Sequence, residues 1–123
     1  MKTVLLIEDN SDIRENTTEL LELGGYKVIS AANGQHGLEL ARTNLPDIIL
    51  SDVMMPYLNG HELFDALKKD TTTRDIPFVF LTSSVERRDV QSAFDKGANG
   101  YIYKPFDQED LFQTIERCLG SEK

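Results

Sequence analysis

The chain has 123 residues and a mass of 13.9 kDa, which fits one domain with a single hydrophobic core. Its 13 Lys and Arg residues against 21 Asp and Glu residues give a formal net charge of −8. This charge argues against direct nucleic-acid binding, because the phosphate backbone would be repelled. Cys118 is the only cysteine, so an intrachain disulfide and a metal cluster of several cysteines are excluded. The short apolar run after Met1 is neither a membrane span nor a signal peptide, so we expect a cytoplasmic protein without a membrane partner.

Short apolar runs alternate with segments of helical periodicity along the chain. In chain order they predict a strand over 4–7, a helix over 12–23, a strand over 27–31, a helix over 34–44, a strand over 48–50, a helix over 60–70, a strand over 78–81, a helix over 86–96, a strand over 101–103 and a helix over 107–119. Asn10 or Ser11 is expected to cap the first helix, and Gly24 to end it. We therefore expect one domain over 1–119, followed by a short tail over 120–123.

Five strand–helix units in series predict an α/β fold, a doubly wound parallel sheet with five helices on its two faces. The first, third and fourth strands are purely apolar, so they are expected at the centre of the sheet. The second and fifth strands are more polar and are expected at its edges. This pattern suits the strand order 2-1-3-4-5, which is already known for flavodoxin-like folds.

Polar residues follow four of the predicted strands, and in a parallel sheet the carboxyl ends of the strands form the ligand site. These residues are Glu8, Asp9, Asp52, Thr82, Ser83 and Lys104. Three converging carboxylates require a proton or a cation among them, and carboxylate oxygens suit Mg²⁺. A carboxylate beside Mg²⁺ and a lysine can attack phosphorus and form an aspartyl phosphate. Lys104 would then neutralise the phosphoryl oxygens, and the Thr82 hydroxyl would donate a hydrogen bond to one of them.

Each of these residues taken alone also has a purely structural explanation. The acids at 8 and 9 would favour the N-terminus of the first helix, and Asp52 would form a turn. Lys104 would be a solvated lysine of an edge strand, and Tyr101 a half-buried edge aromatic. His36 and His61 are expected to be exposed helix residues rather than ligands. Only the convergence of the polar residues on one edge of the sheet favours a functional site.

The chain resembles, over essentially its whole length, the receiver domain of two-component response regulators, in particular the single-domain chemotaxis regulators. The matching motifs are Glu8-Asp9, Asp52-Val53-Met54-Met55-Pro56 with Gly60, Thr82-Ser83, Gly97-Ala98 and Tyr101 with Lys104-Pro105-Phe106. The sequence departs from the family at Glu8, where an aspartate is commoner.

The resemblance implies a role for each matching residue. Asp52 would be the phosphoacceptor. Mg²⁺ would be held by Asp9, Asp52, the Met54 backbone carbonyl and, through a metal-bound water, Glu8. The phosphoryl group would be bound by Thr82, Ser83 and Lys104. Thr82 and Tyr101 would form the switch, and the peptide bond before Pro105 would be cis.

The function that the resemblance implies is a phosphorylation-activated signalling switch, not an enzyme. A histidine kinase or a phosphotransfer protein would donate the phosphoryl group. The surface of the fourth predicted helix, the fifth strand and the fifth helix would then control a downstream protein or form a homodimer.

Three other functions are considered. An aspartyl-phosphate enzyme is disfavoured because Met54 stands where a second acid would be needed. A nucleotide- or flavin-binding module is disfavoured because no glycine-rich loop follows the first strand. A receiver-like scaffold that binds partners without phosphorylation stays open.

Overall fold

The computed structural model describes residues 1–53, 55, 58–82 and 97–120. Its sheet contains β1 (Thr3–Ile7), β2 (Lys27–Ala31), β3 (Ile48–Asp52), β4 (Phe78–Thr82) and β5 (Gly100–Tyr103). The strand order is β2-β1-β3-β4-β5, and every neighbouring pair is parallel. The prediction of a doubly wound, flavodoxin-like sheet is confirmed.

Four helices lie in the described part of the chain: α1 (Ser11–Leu23), α2 (Gly34–Asn44), α3 (Gly60–Lys69) and α4 (Gln108–Leu119). The predicted helix over 86–96 lies outside the described residues, so α4 corresponds to the fifth predicted helix. Each helix begins after a residue whose side-chain oxygen accepts a backbone N–H three residues further on. These capping residues are Asn10, Asn33, Asn59 and Asp107. Among the described helices, none is long and apolar enough to cross a membrane.

Two apolar clusters cover the two faces of the sheet, because alternate residues of a strand point to opposite faces. Leu5 and Ile7 of β1 pack in the cluster that also contains Phe64 of α3. Val4 and Leu6 pack in the other cluster, together with side chains of α1 and α4. The sheet is therefore buried between two helical layers, with its strand ends free to carry polar residues.

The burial of the strands agrees with the predicted centre and edges of the sheet. All residues of β3 and β4 are buried, as are four of the five in β1, whereas β2 and β5 are partly exposed. Two central strands are longer than the sequence predicts. The β3 strand continues to Asp52, which pairs with Leu81, and β4 continues to Thr82, which pairs with Tyr103. The polar residues at these ends therefore belong to the ladder and are held by it.

Candidate functional site

Three acids meet at the carboxyl edge of the sheet. Glu8 and Asp9 directly follow β1, and Asp52 is the last residue of the neighbouring strand β3. One carboxylate oxygen from each of the three lies within 4.8 Å of the others. Glu8 and Asp52 are buried, with relative exposures of 1% and 5%, whereas Asp9 is exposed. The cluster is thus open to solvent on one side, and its all-oxygen donor set suits a hard divalent cation such as Mg²⁺.

Lys104 joins the two buried acids. It directly follows β5, and its backbone N–H donates to the Thr82 carbonyl at 2.7 Å, which continues the ladder between β4 and β5. Its Nζ donates to Glu8 Oε1 at 2.7 Å and to Asp52 Oδ1. The ammonium therefore bridges residues from two different strand ends. The peptide bond between Lys104 and Pro105 is cis, the form that the resemblance implies.

Glu8 is fixed from both its main chain and its side chain. Its backbone N–H donates to the Ala31 carbonyl at 3.1 Å, and its carbonyl accepts from Arg14 Nη1 at 2.9 Å. Its Oε2 accepts from the Asn10 backbone N–H at 3.2 Å. The longer side chain at this position thus reaches Lys104 while it also closes the loop between β1 and α1.

The charges of the site are strongly coupled. Burial, together with the neighbouring Glu8 carboxyl, raises the pKa of Asp52 to about 8, and the Lys104 ammonium only partly opposes this. Burial also opposes ionisation of Glu8, but hydrogen bonds from Asp52, Lys104 and the Asn10 amide together lower its pKa. Burial opposes the charged form of Lys104, yet its hydrogen bonds to the two acids raise its pKa. Near neutral pH the metal-free cluster therefore holds an ionised Glu8, a charged Lys104 and a largely protonated Asp52.

The backbone of Asp52 is packed tightly from the side of α3. A Cβ atom on Gly60 would lie only 2.3 Å from the Asp52 carbonyl oxygen, so no larger residue fits there without a backbone shift. The Gly60 N–H donates to the Val53 carbonyl at 2.9 Å, and the buried Ser51 hydroxyl donates to the Asp52 carbonyl at 3.0 Å. These contacts fix the end of β3 and, with it, the position of the Asp52 carboxyl group.

The structure brings together Glu8, Asp9, Asp52 and Lys104, whereas the other predicted site residues lie around them or are not described. Thr82 is buried at the end of β4, beside the strand that carries Asp52. Tyr101 is half-buried on β5, and its ring contacts that of Tyr103 edge-on at 5.0 Å. Met54 and Ser83 lie outside the described residues.

One histidine differs from its prediction. His36 is exposed, as expected, but His61 is half-buried, and its ring lies 5.0 Å from that of Phe80. The His61 Nε2 is buried without a hydrogen-bond partner among the described residues. The prediction of an exposed His61 is wrong because the residue precedes Phe64 by three positions, which places both on the buried side of α3.

The sequence did not single out Arg14. Arg14 lies in the second turn of α1, four residues after the capping Asn10, and it folds back to the Glu8 carbonyl. Its sequence signal is weak, because the Glu8 carbonyl lies six residues earlier, in the loop before α1, and not on the helix.

The fold and the acid cluster define a doubly wound α/β protein with an acidic site at the carboxyl edge of its sheet. The family model described as "Response regulator receiver domain" matches residues 4–116, so the chain belongs to that family. A relative of similar length is the Protein PilH of Pseudomonas aeruginosa, which is 36% identical over 98% of this chain and 99% of its own length. Other curated relatives are longer, and the chain spans only about half of them, 49% of one and 52% of another.

Solved structures show the same fold. The chemotaxis protein CheY4 of Vibrio cholerae has a TM-score of 0.90 and 33% identity, covering 96% of this chain and 98% of that one. The receiver domain of sensor histidine kinase PA1611 from Pseudomonas aeruginosa has a TM-score of 0.89 and 28% identity, covering 98% of each chain. That structure is described with a magnesium ion coordinated in its active-site cleft.

Proposed function

We propose that this receiver domain is a phosphorylation switch whose acceptor is Asp52. The observation that supports this most directly is the contact of Lys104 with both buried acids in a cluster of three carboxylates. A lone buried acid would need only a proton, whereas this site places an ammonium and two further carboxylates around one aspartate. That combination suits the transfer of a dianionic phosphoryl group to a carboxylate oxygen.

The proposed reaction transfers a phosphoryl group from a phosphohistidine. An ionised Asp52 oxygen attacks phosphorus, and a P–O bond forms while the P–N bond to the donor imidazole breaks. The imidazole leaves with the electron pair of that bond and takes up a proton. Lys104 exchanges its contact with the Asp52 carboxylate for one with a phosphoryl oxygen, and the Thr82 hydroxyl donates to another.

Glu8, Asp9 and Asp52 are the described residues that would hold Mg²⁺, with the Met54 carbonyl added from the resemblance. When bound, Mg²⁺ supplies positive charge that offsets both the carboxylates and the incoming phosphoryl group. The glutamate at position 8 suits an indirect contact, since its carboxylate already accepts from Lys104 and from the Asn10 amide.

The output would be a change in the surface that includes β5 and α4. Thr82 and Tyr101 lie on neighbouring strands, and a groove of about 290 Å³ beside Tyr101 is lined by residues of β5 and α4. Phosphorylation adds charge and acceptor oxygens at the end of β3, and movement of Thr82 towards them would let Tyr101 turn inward. The altered surface would bind a downstream protein or a second copy of the chain.

The partners would be a cytoplasmic histidine kinase or phosphotransfer protein and a protein target, not a nucleic acid. The domain would act as a switch with one phosphoryl group per molecule, not as an enzyme with free substrate turnover. A receiver-like scaffold that is never phosphorylated is the second candidate, because the same surface would serve that function.

Intact-mass spectrometry after incubation with acetyl phosphate tests this function, with and without Mg²⁺. We expect one added phosphoryl group that requires Mg²⁺ and is absent in Asp52→Asn. Asp75→Asn is a matched control, because Asp75 is an exposed aspartate outside the cluster, and it should be modified like the wild type.

If no mass is added, the experiment is repeated with a phosphorylated histidine kinase as donor. Modification by the kinase alone would still support the switch. A folded protein that accepts no phosphoryl group from either donor would favour the scaffold instead.

A further inference from the structure

The loop between β1 and α1 carries two of the three acids, so its conformation decides whether they converge with Asp52. Within the described residues, the Glu8 main chain has two hydrogen bonds to groups outside this loop. One is its N–H bond to Ala31 at the end of β2, and the other is the bond from Arg14 Nη1 to its carbonyl at 2.9 Å. The first continues the sheet, whereas the second depends on a single side chain.

Arg14 is half-buried, and it forms no ion pair with any carboxylate in the part of the chain that the structure describes. An arginine in a chain with 21 acidic residues has many possible partners of opposite charge. Here its guanidinium instead donates to a neutral main-chain oxygen six residues earlier. A long and flexible side chain loses conformational entropy in such a contact, so the contact has to offset that cost.

The contact lies directly behind the site. The carbonyl that Arg14 holds belongs to Glu8, and the next residue is the exposed acid Asp9. On the other side, Glu8 Oε2 accepts from the Asn10 N–H, so the loop is closed between the two contacts. Loss of the guanidinium would release the Glu8 peptide group and allow the Asp9 carboxylate to rotate away from the cluster.

We infer that Arg14 is a positioning residue for the acid cluster, which holds the Glu8 peptide group so that Asp9 faces Asp52. The inference rests on the proposed function, because it takes the cluster to be the site that binds Mg²⁺. Arg14 would act through the geometry of the loop and not through its charge, and the loss of each would change the affinity for Mg²⁺ in opposite directions. Removal of a nearby positive charge would strengthen cation binding, whereas loss of the loop conformation would weaken it.

Isothermal titration calorimetry with Mg²⁺ separates the two effects in Arg14→Met, which keeps an unbranched apolar side chain but neither the charge nor the hydrogen-bond donors of arginine. We expect the Kd for Mg²⁺ to rise about 3- to 10-fold. This factor corresponds to the net free energy of one typical hydrogen bond. Arg14→Lys keeps the charge and a donor, and its Kd should lie closer to that of the wild type. Arg74→Met is the control, because Arg74 is exposed and precedes the amino end of β4, whereas the acid cluster lies at the carboxyl edge of the sheet. The Kd of this variant should stay within about twofold of the wild-type value.

Hydrogen exchange of the Asn10 amide in the metal-free protein gives a second measurement. This amide donates to Glu8 Oε2, so its exchange should accelerate in Arg14→Met and not in Arg74→Met. Urea unfolding of each variant shows whether an effect comes from a general loss of stability.

A Kd in Arg14→Met that equals or falls below that of the wild type overturns the inference, as does unchanged exchange of the Asn10 amide. Failure of the wild type itself to bind Mg²⁺ would instead overturn the metal site of the proposed function. In that case the positioning role of Arg14 for Mg²⁺ would also be wrong, and exchange of the Asn10 amide would show only whether Arg14 holds the loop.

Discussion

Lowering the pH from 8 to 6 should weaken Mg²⁺ binding at the acid cluster by roughly 50-fold. Burial raises the pKa of Asp52 to about 8 in the metal-free protein. About half of the Asp52 carboxyl groups are then ionised at pH 8 and about 1% at pH 6. A cation requires the ionised form, so the apparent affinity falls with that fraction. Glu8 adds nothing to the dependence in this range, because its pKa is lowered.

Isothermal titration calorimetry at pH 6, 7 and 8 measures this dependence directly. Titrations in two buffers of different ionisation enthalpy also count the protons released for each Mg²⁺ bound. The same pKa predicts release of about 0.9 proton at pH 7 and about 0.5 at pH 8. The count does not depend on the absolute affinity, so it tests the titration of Asp52 separately from the strength of the site.

The control is Asp52→Asn, which keeps the shape of the side chain and cannot titrate. This variant should bind Mg²⁺ more weakly at pH 8, but its affinity should change by less than about twofold between pH 6 and 8. A wild-type affinity that stays constant over this range, without proton release, would refute the assignment of a raised pKa to Asp52.

Three further predictions concern the free energy of unfolding, measured by urea titration of the metal-free protein. The pKa of Asp52 is raised from 3.8 to about 8, so ionisation of the group costs stability progressively as the pH rises between these two values. The stability gain of Asp52→Asn over the wild type should therefore be about 3–4 kcal/mol larger at pH 8.5 than at pH 5, and an equal gain at both pH values would contradict this. Gly60→Ala should lose about 2–4 kcal/mol, because the new methyl group would meet the Asp52 carbonyl; an unchanged urea midpoint would show that α3 shifts freely. Leu45→Gly should raise the free energy of unfolding by about 0.5–1 kcal/mol, because Leu45 is exposed and has a left-handed φ of 47°. A lower free energy of unfolding would mean that packing of the Leu45 side chain stabilises the protein by more than its backbone strain costs.

The order of the strands was predictable because the burial of a strand determines its composition. A strand that is covered on both faces must be apolar throughout, and the runs at 4–7, 48–50 and 78–81 are apolar at every position. The carboxyl ends of β3 and β4 were less predictable. Asp52 and Thr82 look like loop residues by polarity, but their main-chain groups still pair with the neighbouring strands. Composition reports the environment of a side chain, whereas the end of a strand depends on its hydrogen bonds.

The convergence of the acids was also predictable, because parallel strands end at one edge of the sheet. The full burial of Glu8 was not, since nothing in the local sequence distinguishes it from the exposed Asp9. Its burial depends on Lys104, which is 96 residues away in the chain. The partial burial of His61 and the contact of Arg14 with the Glu8 carbonyl depend on tertiary packing as well as on helical spacing, so the sequence of a single helix predicts them only weakly.

The charges of the cluster give a physical reason why the proposed phosphoryl transfer would require a cation. With all groups ionised, three carboxylates and one ammonium leave two negative charges in excess, and two of the carboxylates are buried. The metal-free protein relieves this excess by keeping a proton on Asp52, which makes the group a poor nucleophile. A divalent cation held by the three acids would relieve it without that proton, and an ionised Asp52 oxygen would then be free for the proposed attack on phosphorus. The same cation would offset the charge of the arriving phosphoryl group, which Lys104 alone would not balance. In the proposed switch, the raised pKa of Asp52 would therefore not be an obstacle to phosphorylation, because the reactive form of the carboxylate would depend on the cation.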